Sequence, residues 1–361
     1  MTTSDNYKRS LNAVGELVGN VKVAHVGEWN KIKRVKNSLT NKQVREEFEH
    51  KVLNSGATLS INSKGRLRPE VENSVLTCFE VDRDRVLRSS TFRRLSGKCQ
   101  VFINPTDDML RTRLTHTLEV EQIATVVSNA LGLNTDLARA IALAHDCGHG
   151  PGGHTSEEAF SPFISEGFDH AIWGADVTLS PLNLTLETLD GVRNHSWRLK
   201  PPSTPEASVV SWADRIAYVT HDWADAVRVG FVDKGDLPKN IQEHIGSTQE
   251  AQSMFFITKL ITSSRENGAI CMDRDSASLL NEFRDSNFNV IYSNEITSKA
   301  NKSFIKLLTS LVEYYIVNPQ ETMGENCDKV YNAVQYVASM TDRYAINTGK
   351  DVLGFRWNVS Y

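Results

Sequence analysis

Apolar residues recur at steps of three and four along the segment LTHTLEVEQIATVVSNALGL. Val120, Ile123, Val127 and Leu131 follow this spacing, and Gly132 comes directly after them. The spacing is typical of an α-helix with one buried face, and glycine often ends a helix because it adopts the left-handed conformation without steric cost. The pattern predicts a helix that ends at Gly132.

The next segment, DLARAIALAHD, carries an apolar stripe made by Leu137, Ile141 and Ala144. Asn134 or Thr135 can cap its start through a side-chain oxygen. The predicted helix runs directly into a glycine-rich stretch, so its last residues, a histidine and an aspartate, are expected at the helix end.

A third predicted helix, EASVVSWADRIAYVTHDWADAVRVG, combines apolar positions such as Val210 and Ala213 with a polar face. Asp214, Tyr218 and Asp222 are four residues apart and therefore lie on the same side. Such a face is either exposed to solvent or lines a polar pocket, and this segment alone does not decide between the two. From Arg68 onward few alternating runs suggest strands, so the pattern predicts an all-α fold.

The composition of the 361-residue chain is that of a folded globular protein, with 40% hydrophobic and 23% charged residues. The net charge of −4 excludes a global basic field, so any site for a polyanion must be local. Five scattered cysteines without a C-x-x-C spacing indicate reduced thiols. No signal-like or membrane-spanning apolar run occurs, so we expect a cytoplasmic protein without membrane contact.

Six basic residues and no acidic residue lie between Lys31 and Arg45, within a polar N-terminal region of residues 1–67. We expect a solvated arm or a helical pair there. The alternative is a contact with nucleic acid, such as single-stranded DNA, or with another subunit.

The stretch LAHDCGHGPGGHTSEE carries three histidines, an aspartate, two glutamates and four glycines. Glycine-rich loops can bind phosphate through backbone N–H groups, but this stretch lacks the G-K-[S/T] ending of a Walker loop. Imidazoles and carboxylates favour a metal ion or an acid/base pair instead. The glycines and Pro151 are expected to turn the chain so that residues on both sides meet in one pocket.

The order H…HD…D is formed by His116, His145, Asp146 and Asp214. Two imidazoles and two carboxylates suit Mn, Fe, Co, Ni or Mg and leave coordination positions for water and substrate oxygens. The alternative is that each of these residues is an ordinary core or surface polar residue. This order is the arrangement of the HD phosphohydrolase superfamily.

Six ordered blocks between about Phe79 and Gly349 resemble the deoxyguanosine triphosphate triphosphohydrolase family. They read DRDRVLRSSTFRRLSGKCQVF, RTRLTHTLEV, ALAHDCGHGPGGH, LNLTLETLDGVRNHS, ADRIAYVTHDWADA and ASMTDRYA. The SAM-and-HD-domain deoxynucleotide triphosphohydrolase shares some of them. The resemblance implies an HD-domain helical core at 68–235 and further C-terminal helices packed on it at 236–361. It also implies hydrolysis of a deoxynucleoside triphosphate to deoxynucleoside and triphosphate, with one divalent metal ion.

His154 and Glu157 match the catalytic pair of this family. A general acid is needed because the sugar 5′-oxygen is a poor leaving group, and histidine is the natural donor near neutral pH. The glutamate would hold the imidazole in one tautomer; the alternative is that it only stabilises the start of a helix. We expect His149 to contact phosphate, and His170, which matches a further family position, is expected to bind the substrate.

The resemblance also implies substrate contacts. Arg113 and Arg215 match phosphate-binding positions, where forked guanidinium groups form bidentate contacts. Tyr218 and Asp222 match residues that contact the deoxyribose: the ring excludes a 2′-hydroxyl and the carboxylate accepts from the 3′-OH. Gln100 matches a further sugar contact.

Several positions depart from the family pattern. Gly152 stands where many relatives have phenylalanine, so one apolar wall of the pocket is expected to be missing. Ala171 and Trp173 occupy two amide positions near the nucleotide in relatives, so they bear on substrate choice. Arg343 and Tyr344 are retained, with either a nucleotide contact or simple packing as their role.

The leading hypothesis is therefore a metal-dependent triphosphohydrolase that acts on dGTP or several dNTPs. The first alternative is another HD phosphomonoesterase, such as a 5′-nucleotidase, and the second is a nucleotide-binding regulator without turnover. The resemblance further implies a homo-oligomer, a tetramer or a hexamer.

Overall fold

The computed structural model describes residues 16–18, 20–24, 39–322, 328–359 and 361. The chain divides into two compact units, residues 1–40 and 41–361. In the first unit, strands β1 (Glu16–Val18) and β2 (Val21–Val23) pair antiparallel, with Glu16 opposite Val23. Most of the predicted basic run, residues 31–38, lies outside the described residues, so the predicted arm stays a prediction.

The second unit is all-α in its described residues, which confirms the predicted fold class. Its α-helices are, in chain order, α1 (Lys42–Val52), α2 (Cys78–Arg88), α3 (Ser90–Arg94), α4 (Arg113–Leu131), α5 (Thr135–Ala144), α6 (His154–Phe160), α7 (His170–Trp173), α8 (Leu186–Arg193), α9 (Pro205–Arg228), α10 (Lys239–Ile245), α11 (Gln249–Asn267), α12 (Arg274–Asn287), α13 (Glu295–Val317), α14 (Lys329–Ala338) and α15 (Asp342–Leu353). No helix in the described part of the chain is long and apolar enough to cross a membrane.

The predicted ends of the central helices are confirmed. Gly132 ends α4 in the left-handed conformation, with φ of 66°. Asn134 caps α5 by accepting from the backbone N–H of Leu137. The start of α9 was not predicted: Thr204 caps this helix, and Pro205 follows at its first turn, where the missing N–H costs nothing.

Two apolar clusters hold the helices together. The larger one joins α2, α4, α5, α9, α11 and α12 through residues such as Phe79, Val120 and Phe256. The second joins α6, α7, α13, α14 and α15, with Phe304 fully buried in it. The predicted site residues of the glycine-rich stretch come from both clusters. His145 and Asp146 follow α5 of the larger cluster, and His154 lies on α6 of the second. The predicted boundaries after residues 67 and 235 stay predictions.

Candidate metal and phosphoester site

Three helices bring together the four predicted metal ligands. His116 lies in the first turns of α4, His145 and Asp146 follow α5 directly, and Asp214 lies midway along α9. His116, His145 and Asp146 are almost completely buried, whereas the side chain of Asp214 is 22% exposed. The partial exposure of Asp214 leaves one side of the cluster open.

The donor atoms of this cluster face one another. His116 Nε2 lies 3.1 Å from Asp214 Oδ1, and His145 Nε2 lies 3.8 Å from the same oxygen. Asp146 Oδ1 lies 3.4 Å from His145 Nε2, and Asp146 Oδ2 lies 3.7 Å from His116 Nε2. Two nitrogens and two carboxylates therefore converge on one small space.

The chemistry of these donors fits a divalent cation. His145 Nδ1 donates to the carbonyl of Ala142 at 2.7 Å, which leaves Nε2 as the free lone pair; this buried atom has no hydrogen-bond partner among the described residues. Burial raises the pKa of Asp146, but Arg113, His145 and His149 outweigh it and hold that pKa well below its usual range. Burial likewise opposes ionisation of Asp214, yet His116 and His145 lower its pKa. Both carboxylates are thus ready to bind a cation.

A second group of polar side chains lies beside the metal cluster. It consists of three imidazoles and one carboxylate, from His149, His154, His170 and Glu157. The rings of His149 and His170 are stacked with centroids 3.7 Å apart. Glu157 Oε1 accepts from His170 Nδ1 at 2.5 Å and lies 3.3 Å from His154 Nδ1. The glutamate therefore holds two histidines, whereas the sequence predicted that it would hold only His154.

The buried and exposed members of this group differ. His149 and His170 are almost completely buried, and burial lowers the pKa of each ring. His154 is the exposed member, with 68% of its side chain accessible. His154 is therefore the ring best placed to exchange protons with a ligand.

His195 was not among the predicted site residues, although it lies in the quoted block LNLTLETLDGVRNHS. Its Nδ1 donates to the carbonyl of Val192 at 2.7 Å, and its Nε2 lies 3.2 Å from Nε2 of His170. Its ring also contacts that of His145, with centroids 5.0 Å apart. His195 thus connects the two groups, and only its position in that block could have suggested it.

Both groups border a cavity of about 500 Å³. Eleven of the thirteen predicted site residues line it, namely Gln100, Arg113, His116, Asp146, His149, His154, His170, Asp214, Arg215, Tyr218 and Asp222. His145 and Glu157 lie behind them, in contact with Asp214 and His154. The polar face of α9 therefore lines a polar pocket. Its sequence had left open whether this face is exposed to solvent or lines such a pocket.

The two predicted phosphate-binding arginines differ in setting. Arg113 is buried, and its Nη1 donates to Asp146 Oδ2 at 2.7 Å. Arg215 stacks its guanidinium on the ring of Trp197, 3.8 Å from the centroid. Arg113 thus orients a predicted metal ligand, and Arg215 is the arginine whose position is set by an aromatic surface.

Asp222 is held from two sides. The hydroxyl of Tyr292, in a π-helical turn that follows α12, donates to Asp222 Oδ2. His221 Nε2 lies 3.2 Å from Asp222 Oδ1, and His221 Nδ1 lies 2.5 Å from Glu119 Oε2. Burial lowers the pKa of His221, but the two carboxylates outweigh it and raise it to about 9. The imidazolium therefore lies between buried Asp222 and partly exposed Glu119.

Comparison with known proteins identifies the family. The HD domain family matches residues 113–219, and the phosphohydrolase-associated domain matches residues 270–351. A deoxyguanosinetriphosphate triphosphohydrolase-like protein of Caldanaerobacter subterraneus is 36% identical over 86% of this chain and 95% of its own length. The chain belongs to this HD-domain phosphohydrolase family. A like-named protein of Clostridium perfringens is 37% identical over 84% of this chain and 94% of its own length.

Solved structures with low sequence identity share the fold of this family. A hypothetical protein from Aquifex aeolicus has a TM-score of 0.50 at 17% identity, over 76% of this chain and 69% of its own. A phosphohydrolase from Bacteroides thetaiotaomicron also has a TM-score of 0.50, at 16% identity over 74% and 69%. HD domains bind divalent metals, which agrees with the His/Asp cluster.

The predicted departures from the family pattern have a structural explanation. Gly152 has φ of +72°, and a Cβ there would lie 2.6 Å from the ring of Phe304. Phe304 of α13 therefore fills the space on one side of Gly152, but Phe304 does not line the cavity whereas Gly152 does, so the expected missing apolar wall of the pocket stays a prediction. Ala171 and Trp173 do not line the cavity; Trp173 packs on Phe168 and Tyr331 in the second apolar cluster. Neither residue thus provides a direct contact in the cavity that would explain the expected effect on substrate choice.

In the late block TDRYA the aspartate, rather than the arginine or the tyrosine, makes the contacts with the glycine-rich stretch. Arg343 and Tyr344 are exposed and do not line the cavity. Asp342 is buried, and it accepts from the backbone N–H groups of Gly152 at 2.8 Å and Cys99 at 2.9 Å. Lys98 donates to the carbonyls of His149 and Ala338. These bonds connect the glycine-rich stretch to the C-terminal helices.

Proposed function

We propose that the protein hydrolyses deoxynucleoside triphosphates, dGTP or several dNTPs, to deoxynucleoside and inorganic triphosphate. One observation carries the proposal: His116, Asp146 and Asp214 of the metal cluster, His154, and the arginines Arg113 and Arg215 all line the same cavity, with His145 and Glu157 directly behind them. The size of the cavity, about 500 Å³, is within the usual range for small-ligand pockets.

His116, His145, Asp146 and Asp214 would hold one divalent ion, with Mn, Mg, Co, Fe and Ni as the candidates. When bound, such an ion polarises a phosphoryl oxygen and lowers the pKa of a bound water. Arg113 keeps Asp146 ionised and fixes its orientation through the 2.7 Å bond.

His154 is proposed as the general acid. Because Glu157 faces Nδ1 of the ring, Nε2 is the nitrogen free to give its proton to the departing sugar 5′-oxygen. Glu157 carries a strongly lowered pKa, since its hydrogen bonds with His154 and His170 outweigh burial, so it stays an acceptor. His154 is the exposed ring of its group and lines the cavity, as an acid must.

The remaining residues are proposed to orient the substrate. Arg215, Arg113 and His149 would face the phosphates, and His170 supports Glu157 and His149 from behind. The ring of Tyr218 would pack on C2′ and exclude a hydroxyl, Asp222 would accept from the 3′-OH, and Gln100 would add a sugar contact.

The test is product analysis with each dNTP and GTP in Mn²⁺ and in Mg²⁺. We expect inorganic triphosphate from dNTPs and no such product after Asp146→Ala. His154→Ala is expected to slow the reaction by about 10²- to 10⁴-fold while the metal content is unchanged. Asp351→Ala, an exposed change on α15, is the control.

Two results would contradict the proposal. Orthophosphate released from deoxynucleoside monophosphates, without triphosphate from dNTPs, would indicate a phosphomonoesterase. Binding without any product would indicate a regulator. A cytoplasmic location, a tetrameric or hexameric assembly and a contact with single-stranded DNA stay predictions from the sequence.

A further inference from the structure

Two buried charged side chains hydrogen-bond to the glycine-rich stretch that leads to His154. Lys98 and Asp342 are each 4% exposed, and neither of them lines the cavity. Lys98 precedes the HD region, and Asp342 belongs to the phosphohydrolase-associated region. The proposed function assigns a role to neither residue. A buried charged group is costly unless it is well paired, so the partners of these two residues define what they hold.

Asp342 holds the second half of the stretch. Its Oδ1 accepts from the backbone N–H of Gly152 at 2.8 Å, and its Oδ2 accepts from the N–H of Cys99 at 2.9 Å. The carbonyl of Gly152 accepts in turn from the N–H of Thr155 at 3.2 Å, in the first turn of α6. Gly152 is two residues before His154, where α6 begins. The carboxylate therefore fixes the backbone from which the ring of His154 extends.

Lys98 holds the first half of the stretch. Its Nζ donates to the carbonyl of His149 and, at 3.0 Å, to the carbonyl of Ala338. Its own carbonyl accepts from the N–H of Arg113 at 2.9 Å, at the start of α4. Lys98 therefore connects the peptide that follows His149 to the helix that carries the predicted metal ligand His116.

The stretch has little room to shift. Gly153 has φ of +59°, and a Cβ there would lie 2.2 Å from Nη2 of Arg113. The same guanidinium donates to Asp146 Oδ2 through Nη1 at 2.7 Å. A shift of the backbone would therefore disturb a predicted metal ligand as well as the histidines of the stretch.

The ring of His154 depends on this backbone for its position. Its side chain is 68% exposed, and its Nδ1 lies 3.3 Å from Glu157 Oε1, which is a long hydrogen bond. The buried ring of His149, by contrast, stacks on that of His170. A general acid must lie within hydrogen-bond reach of the oxygen that it protonates, and an error of about 1 Å can slow a reaction about 10²-fold. Hydrogen bonds to the backbone therefore matter more for His154 than for His149.

We propose that Asp342 is a positioning residue for the reaction and that Lys98 assists it. Together they fix both halves of the glycine-rich stretch, so that His154 meets the departing oxygen. Because Asp342 does not line the cavity, it acts through the backbone of Gly152. It therefore affects kcat, which depends on the general acid, more than KM, which depends on the phosphate contacts. The inference rests on the proposed function only for the role of His154 as the general acid.

The experiment combines Asp342→Asn with His154→Ala in a double-mutant cycle, with each variant shown to be folded at the assay temperature. The asparagine has nearly the shape of the aspartate but leaves one of the two N–H groups without its acceptor. Alone, it is expected to lower kcat for dGTP by about 10- to 100-fold, while KM and the metal content stay the same. In the His154→Ala background it should lower the residual rate by no more than about twofold, because the group that it positions is already gone.

Two exposed residues of α15 supply the matched controls. Asp351→Asn should change neither rate of the cycle. Lys98→Met should lower kcat and should also be non-additive with His154→Ala, whereas Lys350→Met should have no effect. An additive cycle, in which Asp342→Asn slows His154→Ala as much as it slows the parent, would overturn the inference. An unchanged kcat would overturn it as well.

A second measurement needs no turnover. In protein labelled with ¹⁵N-histidine, the NMR signals of the His154 ring are assigned by their loss in His154→Ala. These signals should shift in Asp342→Asn and stay in place in Asp351→Asn, and unchanged signals in Asp342→Asn would contradict the positioning role. If the parent releases no triphosphate while the signals still shift, the proposed function fails and the positioning of His154 stands.

Discussion

Oδ1 of Asp342 accepts a hydrogen bond from the backbone N–H of Gly152 at 2.8 Å. The second oxygen of Asp342 accepts from Cys99. Helix α15 thereby holds the glycine-rich stretch that leads to His154. We expect Asp342→Ala to lower the free energy of unfolding by about 2–4 kcal/mol, because two buried N–H groups lose their acceptor.

Urea unfolding of Asp342→Ala and Asp342→Asn tests this relationship. The asparagine keeps one acceptor and should lose less stability. Asp351→Asn, exposed on the same helix, should have no effect. Equal stability of the alanine variant and the parent would show that these bonds contribute nothing.

Gly152→Ala is expected to cost about 2–4 kcal/mol. The residue has φ of +72°, where a side chain is strained, and its Cβ would overlap the ring of Phe304. Phe304→Leu in the same chain should recover part of the loss, which a double-mutant cycle by thermal unfolding would measure. Gly235→Ala, where a Cβ meets nothing within 4 Å, is the control. A purely additive cycle would contradict the proposed overlap.

His145→Ala is expected to abolish stoichiometric metal binding, because the free Nε2 of this ring belongs to the donor cluster. Elemental analysis of the parent should give one divalent ion per chain. At a metal concentration of 100 times Kd, the bound ion should add about 2.7 kcal/mol to the stability of the parent and nothing to the variant. His244→Ala, exposed on α10, should keep the ion. Retention of the ion by His145→Ala would exclude the proposed ligand set.

His221→Ala is expected to destabilise the protein by about 3–5 kcal/mol, because Glu119 and Asp222 would keep their charges without the imidazolium between them. His221→Gln keeps a donor and should lose less. Chemical unfolding measures both, with His50→Ala, an exposed change in α1, as the control. A loss no larger than that of the control would show that the bridge is not stabilising.

We expect the stability of the folded protein to depend on pH because of buried Lys98. Burial lowers its pKa in the folded protein to about 7, below the value of 10.5 expected in the unfolded chain. Between these values the unfolded chain binds the proton more tightly, so the contribution of Lys98 is present above pH 10.5 and is lost as the pH falls to 7. The parent should therefore lose stability relative to Lys98→Met over this range.

Urea unfolding at pH 7, 8, 9 and 10 measures this difference. Lys350→Met, exposed on α15, should follow the parent at every pH. Parallel curves for the parent and Lys98→Met would mean that the folded and unfolded states bind this proton equally.

Local pattern was sufficient for the three central helices α4, α5 and α9 and for the list of chemical groups. The three- and four-residue spacing, Gly132 and Asn134 predicted the ends of α4 and α5, because capping depends on residues within one turn. The order H…HD…D and the ordered blocks identified the family, which the relatives confirm. The roles assigned to the thirteen site residues stay predictions, although the structure brings those residues to one cavity and its immediate surroundings.

Local sequence patterns did not predict the contacts between distant segments. The bond of Tyr292 to Asp222 joins residues 70 positions apart, and no spacing in the sequence marks it. Gly152 lies next to Phe304 of a remote helix, and no spacing in the sequence marks this contact either. His195 contacts His145 and His170 because α8 packs beside α5, and the sequence does not mark that packing.

The sequence by itself therefore determined which helices form and which donors and acceptors the protein has, since both follow from local backbone preferences and side-chain chemistry. The tertiary structure decided which of these groups share a pocket, and that the C-terminal helices contribute to its wall. The physical reason is that burial and pairing depend on how distant helices pack, and packing is a property of the whole fold.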